Sequence, residues 1–287
     1  MNLNGLREIH SLKKNGIYVS CSKGHLGIVT QKRNKRIVLS LTSYPERIAI
    51  VHKTIITLLN QTLKPDCIIL WLAEEQFPLR EKELPKKLLK LQKNGLDIKW
   101  CRDIRSYKKL IPALKLYPND IIITVDDDWY YRRNMVEELI KEHNRYPEDI
   151  ITNGFTHPYF DKDGRIRSSE NISKYEGTTG YMNKILGSDG VLYLSKFFDS
   201  SVFDENAFMH IAPTNDDIWF WAMAVKNGTK IRVPENPVHP FAMTAPEIQR
   251  ANSLDSINSS QNLYIETTNK IFEFYPEIKE RLLQAEE

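Results

Sequence analysis

Two short acidic runs hold the residues with which this sequence could do chemistry. In IIITVDDDWYYRRNM, Asp126, Asp127 and Asp128 stand side by side where an apolar run ends. In TNDDIWFW, Asp216 and Asp217 open a second apolar segment far along the chain. Adjacent carboxylates repel, so a compact state must bring something positive to them. The common solution is a hard divalent cation, Mg²⁺ or Mn²⁺, which in turn faces phosphate oxygens. In an extended segment the first and third aspartates share a face, so Asp126 and Asp128 are the candidates for nucleotide and metal, with Asp127 less committed. The plainer reading makes DDDW an acidic turn before a helix. It likewise makes Asp216 and Asp217 first-turn residues, stabilised by the helix dipole at ~0.3–1 kcal/mol each. A double aspartate beside Asn215 exceeds what capping requires, which favours a function.

Other residues have suitable types. Tyr44 can stack on a nucleobase and Arg47 can bind phosphate, or both can be surface turn residues. Asp103, just after LDIKWC, suits the base or ribose edge. Lys108 or Lys109 can face a diphosphate, although paired lysines on a helix are usually a solvated face. Trp129, Trp219 and Trp221 divide between core and cleft wall, since large aromatics serve cores more often than sugars.

The elements that must position these residues alternate. IVLSL reads as a buried strand that ends in the turn TSYPER. IAIVHKTIITLLNQT follows with Ile48, Val51, Ile55, Leu58 and Leu59 at helical spacing. CIILWLA is a second strand, LPKKLLKLQKNG a helix stopped by Gly95, and LDIKWC a third strand. SYKKLIPALKLYP reads as a helix interrupted by Pro112, DIIITV as a fourth strand, and NMVEELIKEHNRYP as the next helix. Such alternation predicts an α/β sheet, largely parallel in its first half, with ligands at the carboxyl ends of its strands. TSYPER and DDD both fall at such ends.

The second half is less regular. IITNGFTHPYF is read as a strand, residues 161–180 as loop, and VLYL as a strand after two glycines. TNDDIWFWAMAVKNG is a helix capped by Thr214 or Asn215. IRVPENPVHPFAM is extended, and IETTNKIFEFYPEIKERLL closes the chain as helix. At the other end, IYVSCS and LGIVTQ are expected to pair as a hairpin across KGH.

Composition sets outer limits. The 287 residues suffice for a substantial core, and 41% hydrophobic with 27% charged is ordinary for a globular protein. Forty basic against 37 acidic residues give a formal +3, too mild to imply nucleic acid as partner. It leaves room for peripheral attraction to an anionic membrane or substrate. Cys21, Cys67 and Cys101 are far apart and form no CxxC, so neither a disulfide framework nor a zinc site is expected, and a reducing compartment is. MNLNGLREIHSLKKNG lacks the apolar core of a secretion signal, and no run approaches the ~20 apolar residues of a membrane span. A cytoplasmic protein, at most peripheral to the inner face of the membrane, is expected.

From about Arg36 to Phe241 the chain resembles glycosyltransferases of the GT-A fold. VDDD matches their strand-end DxD motif, which binds the metal and the nucleotide-sugar diphosphate, and SLTSYPERI, with Thr42, resembles the first strand and loop that receive the nucleotide. LGSDG, with Gly187, Asp189 and Gly190, matches a loop lining donor and acceptor sites. NDDIW resembles the acidic pair that supplies the base in inverting members, and His239 of VHPF stands where a late histidine completes the metal site. The resemblance therefore implies a Rossmann-like, mostly parallel sheet flanked by helices, with a mixed acceptor-binding second half. It implies a nucleotide-binding half over 36–135 and an acceptor half over 136–244, within a domain over 36–244. Residues 1–35 are then an N-terminal extension and 245–287 a C-terminal helical segment.

The implied activity is transfer of a sugar from a nucleotide-sugar, by preference a UDP-sugar, to a glycan or glycolipid acceptor. Asp217 is the general base and Asp216 orients the acceptor, or the two exchange roles. Mn²⁺ or Mg²⁺ is held by Asp126, Asp128 and His239, and bacterial capsule or lipopolysaccharide synthesis is the implied setting. A retaining enzyme of the same fold, a metal-dependent nucleotidyltransferase or phosphohydrolase, and a non-catalytic carbohydrate-binding domain are the alternatives. A Walker-type phosphate loop is absent from the sequence, which weighs against the nucleotidyltransferase.

Overall fold

The computed structural model describes residues 10–22, 24–248, 258 and 263–286. Its centre is an eight-stranded sheet of β1 (Ile37–Thr42), β2 (Cys67–Ala73), β3 (Leu96–Cys101), β4 (Ile121–Thr124), β5 (Ile150–Thr152), β6 (Thr179–Gly180), β7 (Val191–Tyr193) and β8 (Ile231–Arg232). The strand order is β6-β8-β5-β7-β4-β1-β2-β3. The strands β4, β1, β2 and β3 are mutually parallel, as the alternation predicts. In the second half β8 runs parallel to β5, whereas β7 lies antiparallel between β4 and β5, and β6 antiparallel on the edge.

The first-half strands are near-continuous apolar runs because helices cover both faces. Val38, Leu39, Leu41, Ile68, Ile69 and Leu70 are all fully buried. The covering helices are α1 (Val51–Leu58), α2 (Lys86–Leu89), α3 (Ile111–Leu116) and α4 (Met135–Arg145), followed by α5 (Glu205–Ile211), α6 (Asp216–Asn227), α7 (Leu263–Phe274) and α8 (Pro276–Glu286). Burying such faces stabilises by about 25 cal/mol per Å² of apolar surface removed from water.

Two local readings are corrected, and the expected cap of α6 holds in position only. Pro112 does not interrupt a helix; it sits in the first turn of α3, where no backbone N–H is needed, behind a separate 3₁₀ turn over Arg105–Lys109. The hairpin across KGH is not formed: residues 17–22 and 24–30 contain no strand. Their backbone donors go elsewhere, Gly27 N–H to the Asn94 carbonyl and Val29 N–H to the Pro65 carbonyl. Asn215 holds the cap position of α6, but its side chain makes no capping bond. Its amide donates instead to Thr267 Oγ1 and Asn258 Oδ1, tying the start of α6 to the C-terminal segment.

Trp219, Phe220 and Trp221 are fully buried on α6, so these tryptophans belong to the core, while Trp129 lines the cleft described below. Gly228, at φ +81°, ends α6 in the left-handed conformation that glycine adopts without strain. Arg281 of α8 donates to the carbonyls of Val225 and Lys226 at that helix end, where the dipole favours a cation. Within the expected segment over 245–287, residues 249–257, 259–262 and 287 lie outside the described residues.

Candidate active site

A cleft of about 680 Å³ opens at the carboxyl ends of the parallel strands, a size typical of small-molecule sites. Its walls include Tyr44 and Arg47 after β1, Asp126–Asp128 after β4, and Asp216 and Asp217 at the start of α6. Both acidic runs therefore face one space.

The three aspartates are not equivalent. The chain turns at Asp127 and Asp128 instead of continuing as strand, so face alternation does not apply. Asp127 is directed inward, and its carboxylate accepts Ser43 Oγ–H at 2.5 Å and Arg47 Nη1–H at 2.8 Å. Its carbonyl accepts the Thr54 hydroxyl at 2.8 Å. The same Arg47 nitrogen lies 2.8 Å from Asp128 Oδ2, whereas Asp128 Oδ1 is buried with no hydrogen-bond partner. Burial, reinforced by the Asp127 charge against Arg47, pushes the Asp128 carboxyl up to about 7. Burial works against the charge of Arg47, yet Asp127 and Asp128 outweigh it and hold its pKa above the ordinary value.

Asp126 turns the other way, to Lys109. The Lys109 ammonium is 3.0 Å from Asp126 Oδ1, 3.1 Å from Asp216 Oδ2 and 3.3 Å from Asp217 Oδ1, and its side chain is only 5% exposed. Burial opposes its charge, but the three aspartates together raise its pKa well above normal. Lys109 is held from behind, since Ser40 Oγ–H donates to its carbonyl at 2.6 Å and Trp71 Nε1–H donates to Ser40 Oγ at 3.0 Å. A buried ammonium thus joins the strand-end aspartates to the helix-start pair.

Asp217 is fixed at both oxygens, Oδ1 by Lys109 and Oδ2 by the Gly187 N–H at 2.7 Å. A Cβ at position 187 would lie 2.6 Å from both Asp217 Oδ1 and Lys109 Nζ, so the loop comes this close only as glycine. Burial and the charges of Asp216 and Asp126, set against Lys109, push the Asp217 carboxyl up to about 6. Tyr131 completes the frame, its hydroxyl accepting the Asp126 N–H at 2.9 Å and donating to the Ser188 carbonyl at 2.6 Å.

The remaining expected residues divide. Thr42 and Tyr44 line the cleft, the Thr42 hydroxyl donating to the Trp71 carbonyl at 2.8 Å and the Tyr44 ring 5.3 Å from the Arg47 guanidinium. Arg47 and Lys109 line it too, but each is committed to carboxylates. Asp103 stands at the rim, bonded by Lys108 Nζ at 2.6 Å and Gln76 Nε2 at 2.8 Å. His239 Nδ1–H donates to Asp189 Oδ2 at 2.6 Å, a bond that raises the histidine's pKa. Gly190 turns the chain at φ +94°. Asp189, Gly190 and His239 are not part of the cleft lining.

The expected metal trio is accordingly not assembled. Among the described residues no group of three or more His, Cys, Asp or Glu side chains is arranged to hold a metal ion. Asp128 Oδ1 is buried without a hydrogen-bond partner, and among the described residues the cleft's five carboxylates pair only with Arg47 and Lys109, an excess of negative charge that a cation at Asp126 and Asp128 would offset. His239 is not placed to join them, since it lies outside the cleft lining, with its Nδ1 bonded to Asp189.

Sequence reading missed Ser43, Thr54, Tyr131 and Lys184. Ser43 and Tyr131 sit inside or beside quoted motifs and could have been flagged by proximity; Thr54 and Lys184 carry no local signal. Arg105, at φ 54°, is a non-glycine residue in the left-handed region on the cleft wall, a strain that a sequence does not announce.

No protein-family model matches this sequence, nor does any curated protein. Among solved structures, the chain is similar to the crystal structure of S. aureus TarS 1–349, with a TM-score of 0.44 and 12% identity over 84% of this chain and 72% of that one.

Proposed function

We propose that the chain is a glycosyltransferase that moves a sugar from a nucleotide-sugar, a UDP-sugar by preference, to a glycan or glycolipid acceptor with inversion. The observation that carries this reading is Lys109, which holds Asp126, Asp216 and Asp217 around one ammonium in one cleft. Separate acidic caps on unrelated surfaces would not meet this way.

In this reading Asp217 receives the proton of the acceptor hydroxyl as that oxygen bonds the anomeric carbon. The bond from the anomeric carbon to the diphosphate oxygen breaks, and its electron pair leaves with the nucleoside diphosphate. A carboxyl pushed up to about 6 is a stronger base than an ordinary aspartate yet still ionised at neutral pH. Each Asp217 oxygen keeps a lone pair beyond its bond to Lys109 or Gly187. Lys109 holds the carboxylate in place, and Asp216 sits beside it to orient the acceptor. A Mn²⁺ or Mg²⁺ held by Asp126 and Asp128 would supply charge neutralisation for the departing diphosphate. Tyr44 offers a face for the base.

Capsule or lipopolysaccharide synthesis at a membrane face is the setting we favour, with attachment that is peripheral. Among the described residues no helix is long and apolar enough to cross a membrane. The test is a panel of UDP-sugars and simple glycan acceptors, with product masses read by mass spectrometry, with and without Mn²⁺. Transfer by the wild type, lost in Asp217→Asn with nucleotide binding retained, is the expected result. Absence of nucleotide binding with every metal and nucleotide tried would refute it.

A further inference from the structure

Among the described residues, one cation of the cleft has no salt-bridge or hydrogen-bond partner. Arg47 is spent on Asp127 and Asp128, Lys108 on Asp103, and Lys109 on three aspartates. Arg105 donates to the Pro213 carbonyl at the rim. Lys184 also lines the cleft, but among the described residues its ammonium has no hydrogen-bond or carboxylate partner. Its one directed neighbour is the Tyr264 ring of α7, 5.6 Å from Nζ.

Its position says which ligand it would meet. Lys184 pairs with Thr156 in a short antiparallel ladder and lies three residues before Gly187, whose N–H holds Asp217. This wall belongs to the second half of the chain and also carries Asp217 and Tyr264. The hydroxyl that attacks must reach Asp217, so an acceptor lies along this wall, whereas donor phosphates face the strand ends opposite. We propose that Lys184 is an anion-binding subsite for the acceptor, taking a carboxylate or phosphate carried by the sugar that is extended. The proposal rests on the glycosyltransferase reading of the same cleft.

Burial pushes the Lys184 ammonium down to about 8, partly offset by Asp217, so it remains mostly charged at neutral pH. A partly buried charge without a counter-ion is costly, and an incoming anion removes that cost while forming a charge-assisted hydrogen bond. The bland account is a lysine whose stem covers Tyr264 while its head stays in water. It gives no preference between charged and neutral sugars.

The test is calorimetric or NMR titration of the full chain, with UDP and Mn²⁺ present. The probes are methyl glucuronide as carboxylate, glucose 6-phosphate as phosphate, and methyl glucoside as neutral control. At least one anionic probe should bind the wild type about tenfold or more tighter than the neutral one. The preference should vanish in Lys184→Met and persist in Lys184→Arg, and the better anionic probe identifies the group. No preference in the wild type, or one that survives in Lys184→Met, overturns the proposal. A comparable loss of UDP affinity in Lys184→Met would assign the lysine to the donor and overturn it as well. Failure of the wild type to bind UDP, read in a separate titration, refutes the donor reading on its own.

Discussion

Replacing Lys109 by methionine should do more than remove a charge. The side chain keeps most of its volume, so packing is largely conserved, but Asp126, Asp216 and Asp217 lose the ammonium that lies 3.0–3.3 Å away. Each contact at about 3 Å is worth ~5 kcal/mol of attraction at an effective dielectric of 20, before desolvation is subtracted. The net cost of breaking a buried pair by deleting one partner is ~3–5 kcal/mol, a large fraction of the ~5–15 kcal/mol that holds a domain together. The loss should depend on pH. Without Lys109 the Asp217 carboxyl, already about 6, rises further, and its folded value then exceeds its unfolded value by more. A group raised on folding favours the folded state while protonated and loses that contribution as pH rises through the folded pKa. Urea unfolding should therefore show a smaller deficit near about pH 5 than near about pH 8. A deficit below ~1 kcal/mol, or one independent of pH, would refute the view that Lys109 is the internal counter-ion. Combining Lys109→Met with Asp217→Asn should recover part of the loss, since the two sites couple directly.

Further outcomes follow from the same geometry. Asp128, pushed up to about 7, should make stability fall as pH rises through neutrality; Asp128→Asn should flatten that slope and raise the melting temperature near about pH 8. Mn²⁺ should stabilise the wild type in the same thermal scans and have a smaller effect on the variant, and equal responses would remove Asp128 from the metal site. Gly187→Ala forces a Cβ against Lys109 Nζ and Asp217 Oδ1, and should cost ~1–3 kcal/mol in denaturant while turnover falls further than stability does. If Asp217 is the base, kcat/KM should rise with pH through about 6, and Asp217→Asn should abolish that limb with a ~10²–10⁴-fold loss of turnover.

The first-half sheet was legible in the chain because parallel strands covered on both faces must be apolar throughout. IVLSL, CIILWLA and IIIT state this without ambiguity, and their ends locate the cleft. The acidic residues that fill it were legible as well, because adjacent charges are an electrostatic cost that needs a partner. Local sequence was less informative where φ and hydrogen bonding decide the outcome. Pro112 opens a helix instead of breaking one, and residues 17–30 spend their donors on Asn94 and Pro65 instead of on each other.

The identity of the positive partners was a tertiary matter. KK beside a helix reads as a solvated face, yet the turn over Arg105–Lys109 carries Lys109 under the sheet end, into reach of aspartates from β4 and α6. Arg47 reads as a phosphate ligand, but the turn at Asp127 and Asp128 aims both carboxylates at it. His239 reads as a metal ligand, but the fold leaves it outside the cleft lining, paired with Asp189. The sequence by itself determined that carboxylates gather where parallel strands end. Only the tertiary structure decided which cations answer them and which, like Lys184, remain unpaired among the described residues, because that depends on contacts between segments a hundred residues apart, such as Lys109 and Asp217.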